Sequence, residues 1–359
     1  MSKVGYTSIP IIHKGQIPLN CLNISEIPEK GIILAADIGG TKTSLALFQI
    51  RDKKLLLLHE ELFSTKEHTS FVEMLHQFQK KDLPPLDGIS LGVAGPVIQG
   101  KVQGTNFPWA IDSEEIRKEL KTESVWMIND MEANAYGLAA LHEKDFLTLK
   151  TGENIAGNVA LISPGTGLGQ AGMFWDGNFY HPFATEGGHC DFSPRNDLDI
   201  EIFKFFQSKY GHVSWERLIS GPGISTIYLL MRSLKKEKEP LWLKKKIEGE
   251  NPSKVITATA LAKKDMICVE TLNLFIRFLA IESANLALKY KAMGGIFIGG
   301  GILPHIIHDM DKEIFRRNFV QSGRMNPLLQ KIPVKVILNE KTALLGAALY
   351  GVYKLGTEH

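Results

Sequence analysis

Between residues 31 and 60 three short apolar runs, 32–36, 44–50 and 55–60, are separated by a glycine-rich turn and then a polar one. That spacing predicts three neighbouring strands. A helical period follows over 71–79, then a buried strand is expected over 89–93, ending at Ala94-Gly95-Pro96. A further strand over 125–128 stops at Asn129-Asp130, and an alanine- and leucine-rich helix is expected over 132–141. The plan then repeats, with a strand over 158–163, a glycine turn, and a hairpin through Asp176-Gly177, a dipeptide that favours tight two-residue turns. Helices dominate afterwards, the longest over 270–293 and the last over 342–353. Residues 1–30 lack sustained periodicity and are broken by Pro10, Pro18 and Pro28, so they read as an irregular extension.

The repetition extends to individual residues. When 33–48 is laid beside 159–174, Asp37 faces Ser163, Gly39 faces Gly165 and Phe48 faces Phe174. An apolar strand running into a Gly/Thr turn presents bare backbone N–H groups, because glycine has no Cβ to hold an anion away. Two such turns suggest one phosphate chain gripped from both sides.

Composition narrows the choices. The chain has 359 residues, 44% hydrophobic and 22% charged, which allows two domains of an ordinary globular protein. A net charge of +2 with scattered basic residues gives a nucleic-acid backbone no stripe to follow. Cys21, Cys190 and Cys268 are widely spaced, so neither a disulfide framework nor a zinc cluster is indicated and a reducing, cytoplasmic setting is expected. Cys190 is read as a small buried hydrophobe. The N-terminus has no apolar core of a signal peptide, and no apolar run reaches the roughly 20 residues of a membrane span. Lysines over 235–246 alternate with glutamates and Leu241-Trp242-Leu243, the pattern of a solvated helix face.

Several motifs carry candidate chemistry. Asp37-Ile38-Gly39-Gly40-Thr41-Lys42 is either a cradle for β- and γ-phosphates, with Asp37 holding Mg²⁺ through water, or a plain β-turn. Gly165, Thr166 and Gly167 form the second turn. The run from Gly167 to Gly172 matches a dinucleotide fingerprint in spelling only, since an aromatic hairpin pattern follows it where a helix is required. Lys42 lacks the glycine offset of a Walker A loop. Asn129-Asp130 is a helix cap, a general base for a sugar hydroxyl, or both. Glu186-Gly187-Gly188-His189 sets a charged acceptor beside a mixed donor and acceptor, which suits adjacent hydroxyls. Glu216 is open between a ligand and an exposed helix acid near Arg217. Gly299, Gly300 and Gly301 follow an apolar strand and would let adenine or ribose lie close to the backbone.

Taken in order, residues 91–97 (LGVAGPV), 105–109 (TNFPW), 128–133 (INDMEA), 186–192 (EGGHCDF) and 218–223 (LISGPG) resemble the bacterial-type glucokinase family over about residues 31–359. The resemblance implies an α/β fold with the duplicated core of an actin-like, ribonuclease H-like ATPase and two domains with a central cleft. It places a small domain at 31–140 plus 341–359 and a large one at 141–340, with 1–30 as an extension longer than the family's usual start. It implies ATP and Mg²⁺ as cofactors, glucose or a related hexose as substrate, and a homodimer. By the resemblance Asp130 would be the general base, and Asn129, Asp130, Glu186, His189 and Glu216 would bind sugar. It likewise implies that Asp37, Gly39, Gly40, Thr41, Gly165, Thr166 and Gly167 would hold phosphates. Lys42-Thr43 is similar to the ROK kinases, whose cysteine-rich zinc motif is missing here. Other expectations consistent with the residues are another hexose, polyphosphate as donor, or a sugar sensor without turnover.

Overall fold

The structure is a computed structural model that describes residues 8–11, 19–21, 23–79, 84–103 and 109–357. They fall into two compact units, one of residues 1–145, 172–184 and 339–359, the other of 146–171 and 185–338.

In the first unit, β1 (Ser8–Pro10), β2 (Lys30–Ile38), β3 (Lys42–Arg51), β4 (Lys54–Ser64), β5 (Gly88–Val93) and, past a ribbon of β6 (Lys101–Gln103) and β7 (Ala110–Asp112), β8 (Val125–Asn129) supply one six-stranded sheet in the order β1-β4-β3-β2-β5-β8. Strands β2 to β4 form an antiparallel meander, whereas β5 and β8 run parallel to β2. Period-two alternation sends β2 side chains to opposite faces. Leu34, Ala36 and Ile38 join Phe71, Met74, Leu75 and Phe78 of helix Phe71–Gln79 in one core. Ile33 lies on the other face, where Gly351 of helix Thr342–Thr357 comes so close that an added Cβ would sit 3.0 Å from the Ile33 side chain.

The second sheet has the order β12 (Tyr180–Thr185), β11 (Leu168–Trp175), β10 (Val159–Pro164), β13 (Gly295–Ile298), β14 (Val334–Ile337) and β9 (Phe146–Lys150). Its β12-β11-β10-β13-β14 run repeats the β4-β3-β2-β5-β8 run of the first. The duplication expected from the aligned segments is therefore a duplication of sheet topology. The second unit's core forms around helix Met266–Lys289, whose Phe278 meets Phe192 edge-to-face, as does Trp215.

Several elements differ locally from the sequence reading. The extension is not wholly irregular, since Ser8 pairs opposite Leu56 on the edge of β4 and Ile11, Leu19 and Ile27 are buried. The helix expected over 132–141 begins at Asp130 and gives way to a 3-10 turn at Leu138–Ala140. The lysine-rich segment is split between helices Gly221–Lys235 and Leu241–Gly249, because Pro240 caps the second. Of the 105–109 motif, only Trp109 falls within the described residues.

Candidate active site

Strand pairing decides what meets in the first unit. In the parallel run β2-β5-β8, Ile38 stands beside Val93 and Val93 beside Asn129. The three C-terminal ends therefore finish level, so the Asp37–Thr41 turn, Ala94-Gly95 and Asn129-Asp130 share one sheet edge, where open α/β sheets bind ligands. The turn is held from behind by Thr65. Its hydroxyl donates to the Gly39 carbonyl at 2.8 Å and lies 2.9 Å from the Thr43 hydroxyl, while its N–H donates to the Thr41 carbonyl at 3.0 Å. A Cβ on Gly39 would lie 3.2 Å from the Lys42 carbonyl oxygen.

Asn129 is the N-cap of helix Asp130–Gly137, its side-chain oxygen accepting from the Met131 N–H at 2.9 Å. Its amide donates to the Gly95 carbonyl at 3.0 Å, which ties the ends of β5 and β8 together. Asp130 occupies the first helical position, where a carboxylate is favoured by the helix dipole. Capping and site geometry thus coincide in this dipeptide.

Burial and the neighbouring Asp130 carboxylate push the Asp37 carboxyl up to about 7. A buried carboxyl beside a second carboxylate fits a hard divalent cation, which would relieve the repulsion. In the nucleotide-free protein the folded state keeps the Asp37 proton after the unfolded chain has lost it, so stability falls as pH rises from 3.8 towards about 7. Asp37→Asn is expected to be more stable than the parent at about pH 8, by on the order of 1–3 kcal/mol, and nearly equal at about pH 4. Urea unfolding of both proteins across that range checks it. A gap that shrinks towards alkaline pH would refute the assignment.

In the second unit the glycine loops again lie at strand ends. The Gly165 N–H donates to the Gly167 carbonyl at 2.8 Å, closing the turn, and the Gly165 carbonyl accepts from the Gly221 N–H at 2.9 Å. The Gly299 N–H donates to the Ile162 carbonyl at 2.9 Å, drawing the loop after β13 against the end of β10. Gly300 has φ +77°, and a Cβ there would fall 2.3 Å from the Pro164 carbonyl oxygen. Its glycine is required by backbone contact. Gly301 meets nothing and instead lines a pocket of about 830 Å³ with Gly165 and Thr166. Pro222, Ile224 and Leu261 give that pocket apolar wall, and Asn251, Lys254 and His305 give it polar groups. A flat base with a polar edge suits such a lining.

Glu186 and His189 flank the 3-10 turn Gly187–His189, and each side chain is 60% exposed. His189 Nε2 is 3.9 Å from Glu186 Oε2, an ion pair when the imidazole is protonated. Gly188 is sterically needed, since a Cβ there would lie 2.0 Å from the Leu168 carbonyl oxygen, and a Cβ on Gly187 would meet the Gln170 side-chain oxygen at 2.1 Å. Cys190, expected to be buried, is exposed because the turn carries it outward. Glu216, on helix Trp215–Leu218, accepts a hydrogen bond through Oε2 from the Leu168 N–H at 3.0 Å.

Sequence reasoning missed the supports of these loops. Thr65 lies in a separate strand-end turn with no local signal of its own. Glu282 is fully buried, accepting from Gln170 at 3.0 Å and Asn285 at 2.8 Å, and burial raises its carboxyl. Asn251-Pro252, which begins helix Pro252–Leu261 at the pocket, has the one readable signal, an N-cap followed by proline at the first helical position.

The model of the glucokinase family matches residues 34–353. The glucokinase of Nostoc punctiforme is 36% identical over 334 residues, covering 89% of this chain and 98% of that protein. That of Nostoc sp. is 38% identical over 335 residues with the same coverage. Among solved structures, the glucokinase from an Antarctic psychrotroph superposes with a TM-score of 0.76 at 29% identity, over 89% of this chain and 98% of that one. A ROK family glucokinase from Streptomyces griseus in complex with glucose and AMPPNP shares the fold at a TM-score of 0.58 and 19% identity, over 89% and 98% of the two chains. The fold is thus the actin-like ATPase fold of sugar kinases. Matched by that family model over residues 34–353 and by relatives at 36–38% identity along most of its length, the chain belongs to the glucokinase family.

Proposed function

We propose that this protein transfers the γ-phosphoryl group of ATP to the 6-hydroxyl of glucose, giving glucose 6-phosphate and ADP, with Asp130 as general base. The observation that carries the reading is the shared sheet edge of the first unit, which sets a carboxylate at a helix start beside a glycine turn. As the 6-hydroxyl attacks, Asp130 accepts its proton and the leaving ADP takes up negative charge. Asn129, Glu186, His189 and Glu216 are assigned to the sugar hydroxyls, and polar groups that a bound sugar covers but leaves unpaired would discriminate against other sugars. Asp37 to Thr41 and Gly165 to Gly167 are assigned to the phosphates, and Gly299 to Gly301 to the nucleoside.

Mg²⁺ is assigned to Asp37 through water, where it would neutralise charge on the β- and γ-phosphates when bound. The same proposal includes a small domain of 31–140 plus 341–359, a large one of 141–340, a homodimer, and a cytoplasmic role at the entry of glucose into glycolysis. Among the described residues no helix is long and apolar enough to cross a membrane, and all three cysteines are free thiols. A turnover assay with a panel of hexoses, using ATP or polyphosphate as donor, tests the reading. Glucose with ATP is expected to give the highest kcat/KM. A mannose, fructose or amino-sugar preference, or polyphosphate dependence, would redirect the substrate assignment, and sugar binding without turnover would indicate a sensor.

A further inference from the structure

Glu216 is anchored at both ends to different parts of the site. Its short helix is clamped to the loop that carries Glu186 and His189. The Trp215 N–H donates to the Cys190 carbonyl at 3.0 Å, the Phe192 N–H donates to the Val213 carbonyl at 2.8 Å, and Asp191 bridges to Ser214. Its carboxylate, by contrast, reaches the exit of the second phosphate turn, where Oε2 accepts from the Leu168 N–H at 3.0 Å. Gly167 has no side chain at this contact, and a Cβ there would lie 2.6 Å from Oε2. The Leu168 carbonyl closes the circuit, because Gly188 of the 186–189 turn sits against it too closely to carry a Cβ. Leu168 therefore has its N–H engaged by Glu216 and its carbonyl covered by the turn between Glu186 and His189.

We propose that Glu216 is a positioning residue for the nucleotide as well as a sugar ligand, fixing the Gly165–Gly167 turn through Leu168 and so linking sugar and ATP binding. The inference rests on the assignment of that turn to phosphate. An amide left without its acceptor at the turn's exit loses a charge-assisted hydrogen bond, and the turn's donors lose their fixed aim. One carboxylate oxygen on the turn leaves the other for a sugar hydroxyl. Movement of Glu216 on sugar binding is then felt by the phosphate turn, which a ligand that touched sugar alone could not do.

The test is ADP binding measured without any sugar, beside steady-state kinetics. Glu216→Ala is expected to weaken ADP by about tenfold in the absence of glucose and to raise the KM for glucose as well. Glu216→Gln keeps an oxygen that can accept from Leu168, so its ADP affinity should stay within about threefold of the parent while its glucose KM rises. Gly167→Ala keeps every backbone N–H of the turn but displaces the Glu216 carboxylate, and should raise the KM for glucose from a position assigned to phosphate. Should the alanine variant at 216 not fold, the Gln and Gly167→Ala proteins decide the matter alone. ADP binding by Glu216→Ala equal to the parent's, or a Gly167→Ala protein with an unchanged glucose KM, would overturn the inference. Parent protein that binds no ADP at all would overturn the nucleotide assignment itself.

Discussion

Asp130→Ala is expected to lower kcat by about 10²–10⁴ while glucose affinity changes only a few-fold. The split follows from where the residue sits. Asn129, not Asp130, is the helix N-cap and also holds the Gly95 carbonyl, so the sheet edge survives removal of the Asp130 side chain. What is lost structurally includes the bond from the Met131 N–H and a favourable carboxylate in the first turn, the latter about 0.3–1 kcal/mol. What is lost chemically is the acceptor for the hydroxyl proton. Asp130→Asn separates the base from mere shape, since an amide oxygen can still accept from the Met131 N–H as Asp130 Oδ1 does at 2.9 Å, yet takes no proton at neutral pH. Both variants should be equally slow by steady-state assay. An Asn variant with near-parental turnover would assign Asp130 to orientation only.

The largest effect on stability is expected at Gly346. In most exposed helices a glycine replaced by alanine gains about 0.5–1 kcal/mol. Here the sign reverses, because a Cβ on Gly346 would fall 1.6 Å from the Ala133 carbonyl oxygen, and one on Gly137 would fall 2.0 Å from the Thr342 carbonyl oxygen. Two helices, Asp130–Gly137 and Thr342–Thr357, meet backbone to backbone through these glycines. Neither oxygen belongs to a side chain that can rotate away. Gly346→Ala must force the helices apart, costing on the order of 4 kcal/mol or more, as read by the urea midpoint. It also displaces the helix that begins with Asp130, so residual folded protein should turn over slowly. Gly249, at the end of helix Leu241–Gly249 with nothing within 4 Å of its Cβ position, is the matched control and should be neutral or slightly stabilised as alanine.

That glycine contact marks the limit of what the residues reveal on their own. Local patterns disclosed the strands, because alternation and apolar runs are set by burial on one or both sheet faces, and the aligned Gly/Thr turns disclosed the duplication now seen as repeated strand order. Asn129-Asp130 was legible for the same reason, as a capping pair at a strand end. Gly346, Gly137, Thr65 and Glu282 were not legible, since each is defined by a partner far away in the chain. A glycine inside Thr342–Thr357 reads as a weak helix former until Ala133 is seen against it. The turn at 187–189 is a further case. Its two glycines are visible in the sequence, but what a Cβ on each would meet, Gln170 Oε1 and the Leu168 carbonyl oxygen, is visible only in the fold. Cys190 was misjudged because composition predicts the burial of free cysteines in general, whereas this one follows an exposed turn.

The most direct test of the account is a phosphorus NMR spectrum of the parent protein incubated with glucose, ATP and Mg²⁺. Resonances of glucose 6-phosphate and ADP growing together in equal amounts, and only when glucose is present, are the predicted result. Release of inorganic phosphate alone, phosphate on the anomeric oxygen, or no conversion by a protein that binds glucose would contradict it.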